Sequence, residues 1–135
     1  MFDTKIAIVV REDLAMWQKL NVVAFLTSGI TAQNPTIIGE EYRDLQGNVY
    51  NPMTIQPMVV LAADQETLRT IQKRALERNV TTSAYIEEMF STGHDAANRE
   101  VFSRFSPDDA KLVGLALRSD RKIVDKITKG AKMHP

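Results

Sequence analysis

Continuously apolar, β-branched runs alternate with amphipathic segments along the chain, and this pattern predicts strands and helices in turn. Lys5–Arg11 and Met58–Ala62 predict strands that are buried on both faces. Val80–Ile86 predicts a third strand because its residues are largely β-branched or aromatic. Lys111–Leu117 suits a helix or a strand, and we prefer a strand because a further helix is predicted soon after it.

The first predicted helix runs from Leu14 to Ser28, with Asp13 as its N-cap and Gly29 as the residue that ends it. Its apolar positions are expected to pack on the sheet, and they are Leu14, Trp17, Leu20, Val23, Ala24 and Leu26. We interpret Met16 and Phe25 as core residues too, in preference to a platform on which bases stack.

Three further helices are predicted nearer the C-terminus. Asp64 is the expected N-cap of the first of them, whose core face holds Leu68, Ile71, Ala75 and Leu76. A short helix is predicted over Asp95–Phe105, and Ser106–Asp109 has the composition of another helix start. The last helix is predicted over Arg121–Lys129, closed by Gly130.

The segment Ile30–Pro57 is rich in proline and glycine and is interpreted as an elaborated connection. Polar and apolar residues alternate on either side of Gln46–Asn48, which predicts a small hairpin. The order of strands and helices is typical of an α/β protein, and 135 residues predict a single domain, 1–135.

Composition narrows the function classes without selecting one. Seventeen basic and seventeen acidic residues give a net charge of zero, which argues against a dedicated nucleic-acid binder. The absence of cysteine excludes thiol catalysis, and two histidines leave little for a metal site, so we expect no metal and no cofactor. The apolar run Ile6–Val10 is too short to span a membrane, and with no signal peptide we expect a cytoplasmic protein.

The charges are unevenly distributed along the chain. From Lys111 onward there are seven basic and two acidic residues, a net charge of +5, which leaves −5 for the first 110 residues. Lys122, Lys126 and Lys129 have the spacing of one helix face, which we interpret as a solvated face in preference to a phosphate-binding one.

Candidate binding residues follow the predicted strands, where α/β proteins place their ligands. Arg11 ends the first strand, and Glu87 and Glu88 end the third. His94 lies beside Asp95 in a polar loop, where it could act as a general base, although we prefer to interpret it as a solvated loop residue or a helix cap. Lys19 on the first helix is a candidate for binding an anion.

Three short motifs occur in order: VVREDL over Val9–Leu14, ADQETL over Ala63–Leu68, and VGL over Val113–Leu115 followed by IVDKIT over Ile123–Thr128. Together they resemble motifs of the archaeal and eukaryotic type of peptidyl-tRNA hydrolase, the type II enzyme. The resemblance implies a three-layer α/β/α domain with a mixed four-stranded sheet. WQKLN over Trp17–Asn21 resembles more closely a family of small uncharacterised bacterial proteins with that fold.

The resemblance also implies which residues could be catalytic. The hydrolase segment Q-D-A-G-R-T reads Glu87–Thr92 here, so that Glu88 replaces the aspartate and Thr92 matches the threonine. The lysines, glutamine and histidine of the hydrolase helix fall on Gln18, Leu20, Ala24 and Thr27. Lys19 is one residue away, about 100° around the helix. A carboxylate and a hydroxyl are thus kept, without the cationic surface for tRNA.

Three hypotheses of function follow, and enzyme and non-enzyme both stay open. In the first, a small ligand or a protein partner binds above the strand ends, lined by Arg11, Lys19, Glu88, Thr92 and His94. In the second, the protein is a divergent peptidyl-tRNA or related ester hydrolase in which Glu88 and Thr92 handle the water. In the third, it is a structural or regulatory homo-oligomer whose hairpin interface buries Tyr42, Tyr50, Met53 and Met58.

Overall fold

Seven strands and four α-helices form within residues 2–135, the part of the chain that the computed structural model describes. The strands are β1 (Thr4–Arg11), β2 (Tyr42–Arg43), β3 (Val49–Tyr50), β4 (Met58–Ala63), β5 (Ser83–Ile86), β6 (Leu112–Asp120) and β7 (Lys132–Met133). The α-helices are α1 (Met16–Gln33), α2 (Gln65–Glu77), α3 (Asp95–Ser103) and α4 (Arg121–Ile127). Two short 3₁₀ helices cover Pro35–Ile37 and Glu87–Ser91.

Five of the strands form one mixed sheet in the order β5-β6-β1-β4-β7. β1 is parallel to β4 and antiparallel to β6, which is in turn antiparallel to β5. The carboxyl ends of β1, β4 and β5 therefore lie at the same edge of the sheet. The sheet has five strands, whereas four were expected. The additional strand is β7, whose two residues carry no alternating pattern that could reveal it.

Helices cover both faces of this sheet, giving three layers. Ile6, Ile8 and Val10 of β1 pack on the α1 side, and Ala7 and Val9 pack on the side of α2 and α4. All five residues are buried, as the continuously apolar sequence of β1 predicts. The α/β class is confirmed.

The second helix forms where the sequence predicts it. The carboxylate of Asp64 accepts a hydrogen bond from the backbone N–H of Thr67 at 2.7 Å, which caps α2 and lowers the pKa of Asp64. Leu68, Ile71 and Ala75 are buried as predicted. Leu76 is 54% exposed, so its assignment to the core is wrong.

Both predicted ends of α1 are wrong. Asp13 binds the side chain of Arg11 instead of capping the helix, and Ala15 is the N-cap, its N–H donating to the side chain of Gln18. Gly29 lies inside the helix, which continues to Gln33. A Cβ at Gly29 would lie 2.3 Å from the Oγ of Ser83, so this glycine permits close packing on β5 and does not end the helix.

The face of α1 that packs on the sheet also differs from the predicted one. Val22, Leu26 and Ile30 form the buried seam. Several residues assigned to the core are largely exposed, namely Met16 (67%), Trp17 (62%), Leu20 (65%) and Phe25 (53%). The helix is apolar on nearly every side, so periodicity alone could not identify the buried face.

Other strands and helices are shorter than predicted. β5 begins at Ser83 instead of Val80, and Ser106–Asp109 forms an isolated turn in which the carbonyl of Ser106 accepts from the N–H groups of Asp109 and Ala110. α4 ends at Ile127, so Lys129 lies beyond the helix that was expected to align it with Lys122 and Lys126.

The predicted hairpin is confirmed as the pair β2 and β3. Asp44 organises its turn, because its carboxylate accepts hydrogen bonds from Gln46, Asn48 and the hydroxyl of Tyr50. The side chains of Asn48 and Tyr50 lower the pKa of Asp44. Gly47 occupies the left-handed region with φ of 86°, which a glycine adopts without strain.

Gly114→Ala is expected to lower the free energy of unfolding by about 1–3 kcal/mol, the usual range for overpacking a core. The added Cβ would lie 2.5 Å from the Cγ1 of Val22 and 2.9 Å from the Cδ1 of Leu26. Gly93→Ala is the matched control, since nothing lies within 4 Å of its Cβ position. Urea unfolding measures both variants, and a Gly114→Ala protein as stable as the control would contradict close packing of α1 on β6.

Candidate functional site

Four aromatic side chains form a continuous row beside the carboxyl end of β5. The ring centroids of Trp17 and Phe90 are 5.9 Å apart, those of Phe90 and Tyr85 are 5.1 Å apart, and those of Tyr85 and Phe25 are 5.9 Å apart. All three separations are within the range of favourable aromatic pairs. The row joins α1, β5 and the 3₁₀ helix Glu87–Ser91.

Local structure explains how the row forms. Trp17 and Phe25 are eight residues apart on α1, a little over two turns, and so they lie on one side of the helix. Tyr85 points from β5 toward α1, where it is buried. The 3₁₀ helix turns the chain directly after β5 and brings Phe90 between Tyr85 and Trp17.

The aromatic row is the wall of an open groove of about 300 Å³, which we call the aromatic groove. Its other side consists of the segment that leads into α3. Besides the aromatic residues it is lined by Asn21, Met89, Thr92, Gly93, His94, Asp95 and Asn98. An apolar wall faced by a few polar groups is the usual composition of a small-molecule site.

Thr92 lies at the mouth of α3 between a backbone carbonyl and a side-chain amide. Its hydroxyl lies 2.9 Å from the carbonyl oxygen of Met89 and is also close to the side-chain amide of Asn98. The single proton of the hydroxyl can be donated to one of these two groups at a time. Thr92 thereby places the amide of Asn98 at the groove.

His94 is the N-cap of α3. Its Nδ1 accepts a hydrogen bond from the backbone N–H of Ala97 at 3.2 Å. With Nδ1 accepting, the proton of the neutral imidazole lies on Nε2. The side chain therefore combines a structural role with an N–H donor at the exposed edge of the groove.

No lysine or arginine lines the aromatic groove within the described residues, and Asp95 is the acidic residue in its lining. Asp95 forms an exposed ion pair with Arg99, one turn further along α3. The groove is thus suited to neutral or cationic molecules, because an anion would find no opposite charge there.

Arg11 lies outside the groove and is paired within the protein. Its side chain is 12% exposed, and its guanidinium binds the carboxylates of Asp13 at 2.6 Å and Glu87 at 3.0 Å. Burial alone would lower the pKa of Arg11, but the hydrogen bonds that its guanidinium donates to the two carboxylates outweigh it and raise the pKa. Arg11 therefore ties the end of β1 to the residue that follows β5.

Lys19 and Glu88 also lie apart from the groove lining. The Nζ of Lys19 is 3.2 Å from the Nε2 of His134, near the C-terminus. Glu88 has one carboxylate oxygen that is buried and makes no hydrogen bond. Of the five predicted site residues, the structure thus brings Thr92 and His94 together and places Arg11, Lys19 and Glu88 elsewhere.

Most of the residues that line the groove were not predicted as site residues from the sequence. Trp17, Phe25, Asn21 and Asn98 all line it, and the first two were assigned to the core. The available signal was a helix apolar on nearly every side, since a helix of this kind carries more apolar surface than one sheet can cover. Phe90 gave no signal, because it depends on the 3₁₀ helix after β5.

Within residues 2–135, no group of three or more histidine, aspartate or glutamate side chains is arranged to hold a metal ion. None of the helices in this part of the chain combines the length and apolar character needed to cross a membrane.

Comparison with known proteins gives a family and a close structural match. A family model described as Protein of unknown function (DUF2000) matches residues 4–135. A solved structure of a protein of unknown function from Agrobacterium tumefaciens strain C58 is 73% identical. The match covers 100% of both chains with a TM-score of 0.99. No curated protein matches the chain.

Proposed function

The chain belongs to the DUF2000 family of proteins of unknown function, and we propose that it binds a small ring-containing molecule in the aromatic groove. The observation that carries the proposal is the row of four aromatic side chains, two of which are more than half exposed. Exposed aromatic surface beside converging polar groups is characteristic of ligand sites.

The geometry supports a planar ligand with a polar substituent. The indole of Trp17 meets Phe90 edge to face and leaves much of its surface to solvent, so that a second ring could pack against it. Asn98 and His94 supply hydrogen-bonding groups along the opposite side, and Asn21 on α1 supplies one beside the aromatic row. A volume of about 300 Å³ accommodates one ring system with a short substituent.

The charges in the groove favour a neutral or cationic ligand. Asp95 is the acidic group in the lining and is paired with Arg99, and an ammonium group near the face of Trp17 gains a cation–π interaction. A carboxylate or phosphate would be desolvated without a compensating partner. We therefore propose arylalkyl amines and aromatic amides as the ligand class.

Benzylamine and benzamide are expected to bind more tightly than benzoate, which has a similar shape but a negative charge. Asn21→Lys places a cation in the groove and should shift the ratio of the benzoate and benzylamine dissociation constants about tenfold toward benzoate. Isothermal titration calorimetry measures the three constants for each protein.

The control is Ala24→Lys, which adds the same charge at an exposed position of α1 outside the groove. This variant should keep the wild-type order of affinities. Saturable binding that prefers benzoate in the wild-type protein, or an equal response of the two lysine variants, would overturn the proposal.

We also propose that the fold is of the type II peptidyl-tRNA hydrolase kind, with hydrolysis of peptidyl-tRNA or a related ester as the second candidate function. The order of the three sequence motifs supports it, as does the three-layer arrangement around a mixed sheet. Glu88 supports it further, since a buried carboxylate oxygen without a partner could receive a proton from water. Against it stand the zero net charge and the contact of Lys19 with His134.

Release of the peptide from a peptidyl-tRNA separates the two candidates. The binding proposal predicts that the wild-type protein releases no more peptide than a blank without protein. Turnover above the blank that Glu88→Ala and Thr92→Ala both abolish would establish the hydrolase in its place.

A homo-oligomer joined through the hairpin stays a proposal of its own. Tyr42, Tyr50 and Met53 are each more than half exposed, and Leu45 at the hairpin tip is 96% exposed. Met58 is the exception, because it packs partly against the core on the α1 side. We expect light scattering to give a mass above 15.2 kDa that Leu45→Glu reduces, and a monomeric wild-type protein would remove the proposal.

The Agrobacterium relative supports a bacterial origin, and the cytoplasmic location expected from the sequence stays a prediction. A protein partner at the groove, in place of a small molecule, also stays a prediction.

A further inference from the structure

A second and larger cavity lies on the opposite side of β5 from the aromatic groove. It has a volume of about 640 Å³, is partly open to solvent, and lies between the C-terminal half of α2, β5, and the end of α3 with the turn that follows. Its lining shares no residue with the aromatic groove. The volume is well within the range of cavities that hold small organic ligands.

The walls of this cavity, which we call the α2–α3 cavity, are largely apolar. They include Leu76, Val80, Ala84, Ile86, Phe102 and Phe105. No charged side chain lines it within the described residues. Leu76 continues the apolar stripe of α2, but its side chain is exposed. It is exposed because it lines this cavity instead of packing in the core.

One buried polar atom in the wall lacks a hydrogen-bond partner. Gln72 precedes Leu76 by one turn of α2, and its carboxamide oxygen is buried without a hydrogen bond. Buried polar atoms are nearly always hydrogen-bonded in folded proteins. The terminal torsion of a glutamine turns easily, so its carboxamide can present either oxygen or nitrogen to a group in the cavity.

The outer wall is lightly packed on the rest of the fold. α3 has no buried residue, and Phe102 near its end is 39% exposed. Phe102 and Ala84 also line a smaller cavity of about 330 Å³ on the α1 side of β5. The ring of Phe102 therefore stands between the two cavities, beside the edge strand of the sheet.

We propose that the α2–α3 cavity is a binding site for an uncharged, largely apolar small molecule that carries one hydrogen-bonding group. The apolar walls bury the body of the molecule, and its polar group bonds the carboxamide of Gln72. The absence of charge from the lining excludes fatty-acid carboxylates and organic phosphates from the proposed class.

The test uses 1-octanol and 1-fluorooctane, which are nearly equal in shape while fluorine forms almost no hydrogen bonds. Both are aliphatic and do not stack on the aromatic groove. The proteins compared are wild type, Gln72→Leu, and Gln65→Leu as the matched control, since Gln65 lies on α2 outside the cavity. Titrations followed by NMR give the dissociation constants, with the methyl signals of Ile86 and Ala110, which line this cavity and neither of the other two, reporting on the cavity itself.

Preference is measured as the dissociation constant of fluorooctane divided by that of octanol. We expect this ratio to be about fivefold larger in the wild-type protein and in Gln65→Leu than in Gln72→Leu. Ala84→Leu fills part of the cavity and should weaken both compounds, and Asn21→Lys should change neither. Failure of both compounds to shift the Ile86 and Ala110 methyl signals would overturn the proposal. An unchanged preference in Gln72→Leu would overturn the assignment of Gln72. Neither result bears on the aromatic groove.

Discussion

The close approach of α1 to the sheet is the constraint on which the rest of the structure depends. It is possible because glycine occupies the two positions where any side chain would intervene. A Cβ at Gly114 would lie 2.5 Å from Val22, and one at Gly29 would lie 2.3 Å from Ser83. With these contacts made at the backbone, Val22, Leu26 and Ile30 can fill the space above β6 and β1 completely.

This packing decides what α1 leaves uncovered. Once the seam of Val22 is buried, Trp17 and Phe25 project from the flank of the helix toward Tyr85 and Phe90. β5 is an edge strand, and the chain that follows it returns as α3 without covering it closely. The aromatic groove and the α2–α3 cavity lie on the two sides of this edge, each with its own polar groups. A loosely covered edge strand beside a firmly packed helix is therefore the origin of both candidate sites.

The parts of the fold that depend on local pattern could be predicted from the sequence. β1 and β4 are continuously apolar, and Asp64 caps α2 by a hydrogen bond within three residues. The errors share a different cause, namely contacts between distant segments. Gly29 has the type of residue that ends helices, and only the position of Ser83 shows why it lies inside one. β7 forms because Lys132 and Met133 pair with β4, and a strand of two residues has no sequence pattern that could predict it. Among the site residues, Thr92 was predicted from the resemblance to the hydrolase segment and His94 from its polar loop. Phe90, by contrast, meets Trp17 across 73 positions of sequence that periodicity does not connect.

The indole N–H of Trp17 offers the most direct measurement of the central claim, because it is the sole tryptophan and stands in the wall of the groove. Its resonance in a ¹⁵N–¹H spectrum can be followed while benzylamine is added. We expect the indole resonance to shift and the shift to saturate at the concentrations where calorimetry detects binding. The same resonance should respond much more weakly in Asn21→Lys. An indole resonance that stays in place while the protein binds benzylamine would contradict the claim that the aromatic groove is the ligand site.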